Sequence, residues 1–342
     1  MSDSLPLTRR GFLKASAACS AHLAFMAAPF PPAARALWST RSRGQVVAQE
    51  AFGRLERIGE GLWALISTPL GGDYTTVCNG GIIRGSQGVL MVEAFQTPEG
   101  AAWMARQARE LTGTWPTHVL VTHYHGDHTR GAEGYLVRSE EAADPTDPPP
   151  RSSNVPEVQA TRTTRDLVTG GLADDASETL RGLWADVVLV PADAPSTLEL
   201  GDRELHLHPR RGHTASDVTV ELPAEGVTWC GDLVWNGMFP NYMDAEPSRL
   251  SRAVRAIQAQ GRTVYVPGHG PLADRADMER YVAVIDGLEE TARRARQEGW
   301  TTQEAGERHR IPESLGEWAL FNPSYFQRAV EAWMKEWEGG GS

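Results

Sequence analysis

Short apolar runs interrupted by glycines dominate the chain between residues 52 and 92. Residues 55–66 and 81–92 each contain apolar segments on both sides of a glycine-containing turn. That pattern predicts antiparallel β-strands. Residues 98–111 then place apolar side chains at helical spacing, and residues 115–122 form an apolar, β-branched run. The order of strand, helix and strand predicts a βαβ-like unit.

The second half of the chain continues with strand and helix patterns. It predicts one helix over 163–185 and, beginning with a proline, another over 247–260. No linker separates the two halves, so we expect one domain over 52–275 and a C-terminal helical extension over 276–342 packed on it. The predicted strands of this half are 187–190, 203–209, 217–222, 227–230 and 262–266.

A polar segment over 139–156 interrupts this pattern. It contains three consecutive prolines, Pro148–Pro150, which are incompatible with a helix interior or a central strand. We therefore interpret the segment as a surface insertion or a substrate loop.

The N-terminus has the zones of an export signal. Arg9 and Arg10 precede an apolar and small-residue stretch, which ends in the cleavage-like triplet Ala34-Arg35-Ala36. Residues 1–36 therefore resemble a bacterial twin-arginine signal, and we expect the twin-arginine (Tat) export machinery to deliver the folded protein to the periplasm or outside the cell. Residues 37–51 lack periodicity and predict a flexible arm.

Composition narrows the possible partners. The chain of 342 residues is 41% hydrophobic, has no run of eighteen apolar residues and carries a net charge of −11. It therefore predicts a soluble globular protein without stable membrane insertion, and its acidity disfavours nucleic acid as a partner. A small-molecule substrate remains as the expected partner. The sequence leaves the oligomeric state open. Cys78 and Cys230 remain after signal removal, and the sequence leaves open whether they form a disulfide.

The densest chemistry lies in residues 123–128. Three histidines and an aspartate fall within this one short turn, directly after the strand predicted at 115–122. Two of the histidines are two residues apart and no helical pattern precedes them, which excludes the helical metalloprotease motif. The turn therefore predicts a metal-binding loop at a strand end.

Three further candidates stand at the ends of predicted strands: His213, Asp232 and His269. Each is weak alone, because Gly-Asp and Gly-His-Gly segments are usually turns. Their order along the chain, after the 123–128 turn, makes a shared metal site a stronger interpretation. His206 and His208 share a strand face but are interpreted as packing or surface residues. We interpret Asp217 as a turn residue or a hydrogen-bond partner of a ligand, and Cys230 as a buried thiol.

These motifs together resemble the metallo-β-lactamase superfamily across residues 52–275. The T-H-x-H-x-D-H, G-H-T, G-D and P-G-H-G segments are all present. The resemblance implies an αββα sandwich, in which helices flank two mixed β-sheets. It also implies two Zn²⁺ ions per chain. Their implied ligands are His123, His125 and His213 for the first ion, Asp127, His128 and His269 for the second, and Asp232 bridging both.

The activity implied is metal-assisted hydrolysis by an exported dinuclear zinc enzyme. A metal-activated water would attack an ester, thioester, lactone or amide carbonyl, with Asp127 accepting or orienting its proton. Three alternatives remain open. They are β-lactamase activity, an iron-dependent redox enzyme of the same fold, and a zinc-stabilised accessory or binding protein.

The substrate is less constrained. Trp235 stands where some β-lactamases of this superfamily carry a substrate-anchoring lysine, which argues against that subclass. Asp232 is similar to the bridging residue of glyoxalase II-like thioesterases and lactonases, and residues 232–244 resemble exported zinc hydrolases encoded with periplasmic oxidation systems. Four apolar side chains here either line a substrate pocket or pack under a long loop. They are Trp235, Met238, Phe239 and Tyr242.

Overall fold

The computed structural model of the protein describes residues 43–136, 155–174 and 176–339. The predicted export signal over 1–36 lies outside the described residues. So do residues 37–42 of the predicted arm and nearly all of the proline-rich segment.

The first sheet has eight strands that follow one another in chain order. They are β1 (Gln45–Glu50), β2 (Gly53–Gly59), β3 (Leu62–Ser67), β4 (Gly80–Arg84), β5 (Val89–Val92), β6 (His118–Leu120), β7 (Glu157–Thr161) and β8 (Val188–Val190). Strands β1 to β5 pair antiparallel, and β5 to β8 pair parallel. The sheet is therefore mixed.

The second sheet has five strands. They are β9 (Ser196–Glu199), β10 (Glu204–Pro209), β11 (Val218–Leu222), β12 (Val227–Trp235) and β13 (Val264–His269). Strands β9 to β12 pair antiparallel, whereas β12 and β13 pair parallel. This sheet is mixed as well.

Helices cover the outer face of each sheet. The helices of the described residues are α1 (Pro98–Thr112), the single turn α2 (Gly126–Thr129) in the loop after β6, α3 (Arg162–Gly171), α4 (Glu178–Ala185), α5 (Pro247–Gln258), α6 (Arg275–Glu298), α7 (Thr302–Arg308) and α8 (Tyr325–Gly339). Short 3₁₀ turns lie at Pro69–Gly71, Ala132–Leu136 and Glu313–Leu315. Helices α1, α3 and α4 share a core with the first sheet, and α5 to α8 share one with the second. In the described part of the chain, no helix combines the length and apolar character needed to cross a membrane.

A third core lies between the sheets and accounts for the continuous apolar runs of the strands. In β4, Ile82 packs with the helices while Ile83 packs with the second sheet. Neighbouring side chains of a strand point to opposite faces, so a strand buried on both faces must be apolar at successive positions. The predicted αββα sandwich is confirmed.

Three predicted elements need correction. The helix predicted over 163–185 is two helices, because Ser177 caps α4 by accepting a hydrogen bond from the Leu180 amide. Residues 45–50 of the predicted flexible arm form β1, which pairs with β2 at the sheet edge. The strand predicted over 227–230 continues to Trp235, so Asp232 lies within β12 rather than after it.

The close contact between the sheets at Gly81 generates a stability prediction. A Cβ atom at Gly81 would lie 2.4 Å from the indole nitrogen of Trp229. We expect Gly81→Ala to lower the free energy of unfolding by about 1–3 kcal/mol, because overpacking must displace the indole. Urea denaturation measures the change. Gly287→Ala, within α6 where a Cβ meets no atom within 4 Å, is the control and should raise it by up to about 1 kcal/mol. Equal stability of both variants would contradict this packing.

Candidate metal centre

The predicted ligand residues come together at one edge of the sandwich. Residues 123–128 follow β6, His213 follows β10, Asp232 lies in β12 and His269 ends β13. Their ligand atoms form two groups, each with all atoms within 4.8 Å of one another. Cluster 1 consists of His123, His125, His213 and Asp232, and cluster 2 consists of Asp127, His128 and His269. The sequence therefore identified the members of both clusters.

Asp232 joins the two clusters. Its Oδ2 lies 3.3 Å from His213 Nε2 in cluster 1 and 3.4 Å from His269 Nε2 in cluster 2. Its Oδ1 lies 3.2 Å from His128 Nε2. Gly231 before it has φ of +52°, a left-handed conformation that breaks the pairing register of β12 and that glycine adopts without strain. The Asp232 carboxylate therefore contacts histidines of both clusters.

The donor atoms fit a bound cation. His123 Nε2 is buried and has no hydrogen-bond partner among the described residues. His128 Nε2 and Asp232 Oδ1 are buried too, and their 3.2 Å contact lacks hydrogen-bond geometry. Buried polar atoms are rarely left unsatisfied, and imidazole nitrogen with carboxylate oxygen is a donor set that Zn²⁺ accepts. The geometry is therefore compatible with metal in both clusters.

Glu93, which the sequence analysis missed, orients one histidine of each cluster. Its carboxylate accepts hydrogen bonds from the Thr122 hydroxyl at 2.6 Å and the Thr122 amide at 3.2 Å. The same hydroxyl lies 3.0 Å from His123 Nδ1, and Glu93 Oε1 lies 3.0 Å from His128 Nδ1. Both Nε2 atoms consequently face the clusters. The available signal was an acidic residue ending the apolar run of β5.

Asp244 is the second functional residue that was missed. Its Oδ2 accepts a hydrogen bond from His125 Nε2 at 3.0 Å, and His125 Nδ1 lies 3.1 Å from His213 Nε2. The carboxylate therefore fixes the tautomer in which His125 offers Nδ1 to cluster 1. Burial alone would raise the pKa of Asp244, but the hydrogen bond from His125 lowers it.

Asp217 supports the site as a hydrogen-bonding residue of the loop. Its carboxylate accepts from the Thr214 amide at 2.9 Å and from the Thr214 hydroxyl at 2.7 Å, which holds the loop that carries His213. Burial raises the pKa of Asp217 to about 7. His206 and His208 lie on β10, near Glu204 of the same strand and Glu221 of β11, and belong to neither cluster.

The two cysteines are buried free thiols. Cys78 donates to the Asp127 carbonyl oxygen at 2.9 Å, whereas Cys230 packs in the core between the second sheet and its helices. Burial raises the pKa of Cys78 to about 12, so its thiol stays protonated. The disulfide that the sequence left open is absent, and Cys230 is the buried thiol that was predicted.

The four apolar candidates for a substrate pocket are all buried. The Trp235 ring lies 4.1 Å from that of His269 and packs on Phe321. Met238 and Phe239 pack in the core with the C-terminal helices, which is the packing alternative of the sequence analysis. Tyr242 is also buried but borders an open cavity.

That cavity, here called the groove, has a volume of about 710 Å³. It adjoins the metal centre, since Asp244 lines it and contacts His125. Its other wall is α8. The lining residues are Tyr124, Ala215, residues 242–247, Arg328, Glu331, Ala332, Lys335, Glu336 and Gly339.

Residues 73–269 match the family model of the metallo-beta-lactamase superfamily. The chain belongs to this superfamily and is one of its hydrolases.

Solved structures of the same fold agree with this assignment. A metallo-beta-lactamase from Erythrobacter litoralis is 19% identical, with 70% of this chain and 98% of that chain covered and a TM-score of 0.53. The metallo-beta-lactamase FIM-1 from Pseudomonas aeruginosa, in a mono-zinc form, is 18% identical, with coverage of 68% and 95% and a TM-score of 0.51. The inverting sec-alkylsulfatase Pisa1 from Pseudomonas sp. is 16% identical, with coverage of 92% and 62% and a TM-score of 0.61. At these identities the likeness shows the fold.

The Asp244 contact predicts a change in metal affinity. We expect Asp244→Asn to weaken zinc binding about 10- to 100-fold. The neutral amide lacks the negative charge with which the carboxylate holds His125 in the tautomer that offers Nδ1 to cluster 1. Competition with a chelating dye measures the dissociation constant. Glu246→Gln is the matched control, since Glu246 pairs with Arg211 and Arg249 and contacts no ligand residue. Equal affinities of the two variants would contradict the role of Asp244.

His213 and His269 differ in protonation. Burial lowers the pKa of His213 in cluster 1 to about 3. In cluster 2 burial alone would lower the pKa of His269, but Asp232 and Asp127 raise it to about 9. A ligand imidazole must be neutral, so metal binding to cluster 2 at neutral pH displaces the His269 proton, and affinity there rises as pH increases towards 9. Calorimetry of zinc binding in buffers of different ionisation enthalpy should show proton release. Heats that do not depend on the buffer would contradict it.

Proposed function

We propose that the protein is an exported dinuclear zinc hydrolase that cleaves an ester, thioester, lactone or amide. The observation that carries this proposal is the contact of the buried Asp232 carboxylate with histidines of both clusters. Two adjoining donor sets that share a carboxylate suit a pair of ions about 3.5–4 Å apart.

Bound zinc would supply Lewis acidity and a nucleophilic water at neutral pH. The chain supplies the proton acceptor. The Asp127 side chain is 17% exposed, whereas that of Asp232 is 3% exposed, so substrate and water reach Asp127 more readily. Burial alone would raise the pKa of Asp127, but His128 and His269 lower it, which keeps the carboxylate ionised and able to accept a proton.

The groove supplies the substrate-binding surface in this proposal. It combines apolar side chains such as Met243 and Pro247 with the carboxylate of Asp244 beside the metal centre. Small-molecule sites have this mixture of apolar lining and a few polar groups.

Export to the periplasm or beyond belongs to the same proposal. It is supported by Arg9-Arg10 and the Ala34-Arg35-Ala36 triplet.

β-Lactamase activity is the second candidate, because several structural neighbours are metallo-beta-lactamases. Trp235 opposes it. This residue occupies the position of the lysine that anchors substrate in one subclass, and its indole packs against His269 and Phe321 in the core. If the protein were an iron redox enzyme, the purified chain would contain iron instead of zinc. If it were a zinc-stabilised binding protein, it would show no turnover.

Asp232 provides the test of the proposed function. We expect about two zinc ions per purified chain, and hydrolysis of at least one member of a panel of esters, thioesters, lactones and β-lactams. Asp232→Ala should lower turnover by more than about 100-fold, since changes in residues that only orient ligands already cost about 10- to 100-fold.

The control is His206→Ala, a partly exposed residue outside both clusters, which should keep full turnover. Circular dichroism should show that both variants are folded. One iron per chain, or unchanged turnover in Asp232→Ala, would overturn the proposal.

A further inference from the structure

Lys335 is the one lysine of the chain outside the predicted export signal, and it lines the groove. The 342 residues contain two lysines, and the other, Lys14, lies in the predicted export signal. Lys335 lies on α8 and lines the groove beside the metal centre. Helix α8 is outside residues 73–269, which match the family model. This wall of the groove is therefore a feature of the C-terminal extension.

Helix α8 presents two different faces. Ala329, Val330 and Trp333 are buried in the core with the other C-terminal helices. The groove-lining residues of α8 recur at spacings of three and four, which places them on one face of the helix. Because the opposite face is anchored in the core, the helix holds Lys335 at a fixed place on the groove wall.

The acidic residues of the groove are largely engaged elsewhere. Glu246 pairs with Arg211 at 2.9 Å and Arg249 at 2.6 Å. Glu336 accepts a hydrogen bond from the Ser248 amide at 3.1 Å, and Asp244 accepts one from His125.

Lys335 is exposed and has no ion pair among the described residues. Glu331, exposed one turn earlier on the same face, is the acid that competes for it. The other cation of this wall is Arg328, about 10 Å away along the helix axis.

We propose that Lys335 binds a carboxylate that the substrate carries away from the bond being cleaved. This inference rests on the proposed hydrolase function and names its substrate class, an acyl compound with an apolar body and a terminal carboxylate. The apolar body lies against Tyr242, Met243, Ala245, Pro247 and Ala332 in the groove. Lys335 is then a specificity residue rather than a catalytic one.

A pair of matched esters tests the proposal by activity. 4-Nitrophenyl octanoate and mono-4-nitrophenyl suberate have acyl chains of equal length and differ in a terminal methyl or carboxylate. We expect Lys335→Met to raise KM for the suberate about fivefold, the size of effect that an exposed ion pair gives. It should leave kcat for the suberate and both kinetic constants for the octanoate unchanged. Lys335→Glu should have a larger effect, Lys335→Arg should restore KM, and Glu331→Gln should lower it.

Arg275→Met is the matched control, because it removes one exposed positive charge that does not line the groove. It should leave the ratio of the two KM values unchanged. An equal response of both esters to Lys335→Met, or no response, would overturn the inference.

A labelling experiment separates this inference from the proposed function. Lys335 is the sole lysine beyond the export signal, so acetylation of its side chain by acetic anhydride can be followed by peptide mass spectrometry. We expect octanoate to protect Lys335 and octanamide to leave it reactive. Protection of Lys335 by octanoate, without hydrolysis of these esters or of any member of the substrate panel, would refute the proposed function alone. Equal protection by the two probes, or none, would refute the inference alone.

Discussion

The carboxylate of Asp232 is the interaction on which the site depends. It is buried and lies within 3.4 Å of histidines from three separate segments of the chain. A buried charge surrounded by imidazoles is stable only if protons or cations balance it. Burial alone would raise its pKa, but His269 and His128 hold that pKa well below the usual value. The same balance gives the centre its affinity for metal, since a divalent ion can replace the protons.

The arrangement of the two sheets brings Asp232 and the histidines to one edge of the sandwich. Strands β6 and β13 both run parallel to a neighbour and end at the metal centre, while the apolar core between the sheets fixes their spacing. Behind the ligands, Glu93 and Asp244 hold the imidazoles in the orientation that metal binding needs. Helix α8 forms the wall of the groove opposite Asp244.

The members of the two clusters could be predicted from the sequence because their motifs are local and their residue types are chemically distinctive. Glu93 and Asp244 could not, since their contacts join residues 35 and 119 positions apart. Strand β1 was missed because five of its six residues are exposed and polar and apolar positions do not alternate. The single helix expected over 163–185 ignored the capping signal of Ser177. The helix that lines the groove could not be predicted either. Its position depends on how distant segments of the chain pack, which no local sequence pattern indicates.

Anomalous diffraction at the zinc edge from crystals of the zinc-loaded protein tests the central claim most directly. The account predicts two peaks on either side of the Asp232 carboxylate, about 3.5–4 Å apart. One peak should lie among His123, His125 and His213, and the other among Asp127, His128 and His269. A single peak, or peaks that leave Asp232 without a metal contact, would contradict the account.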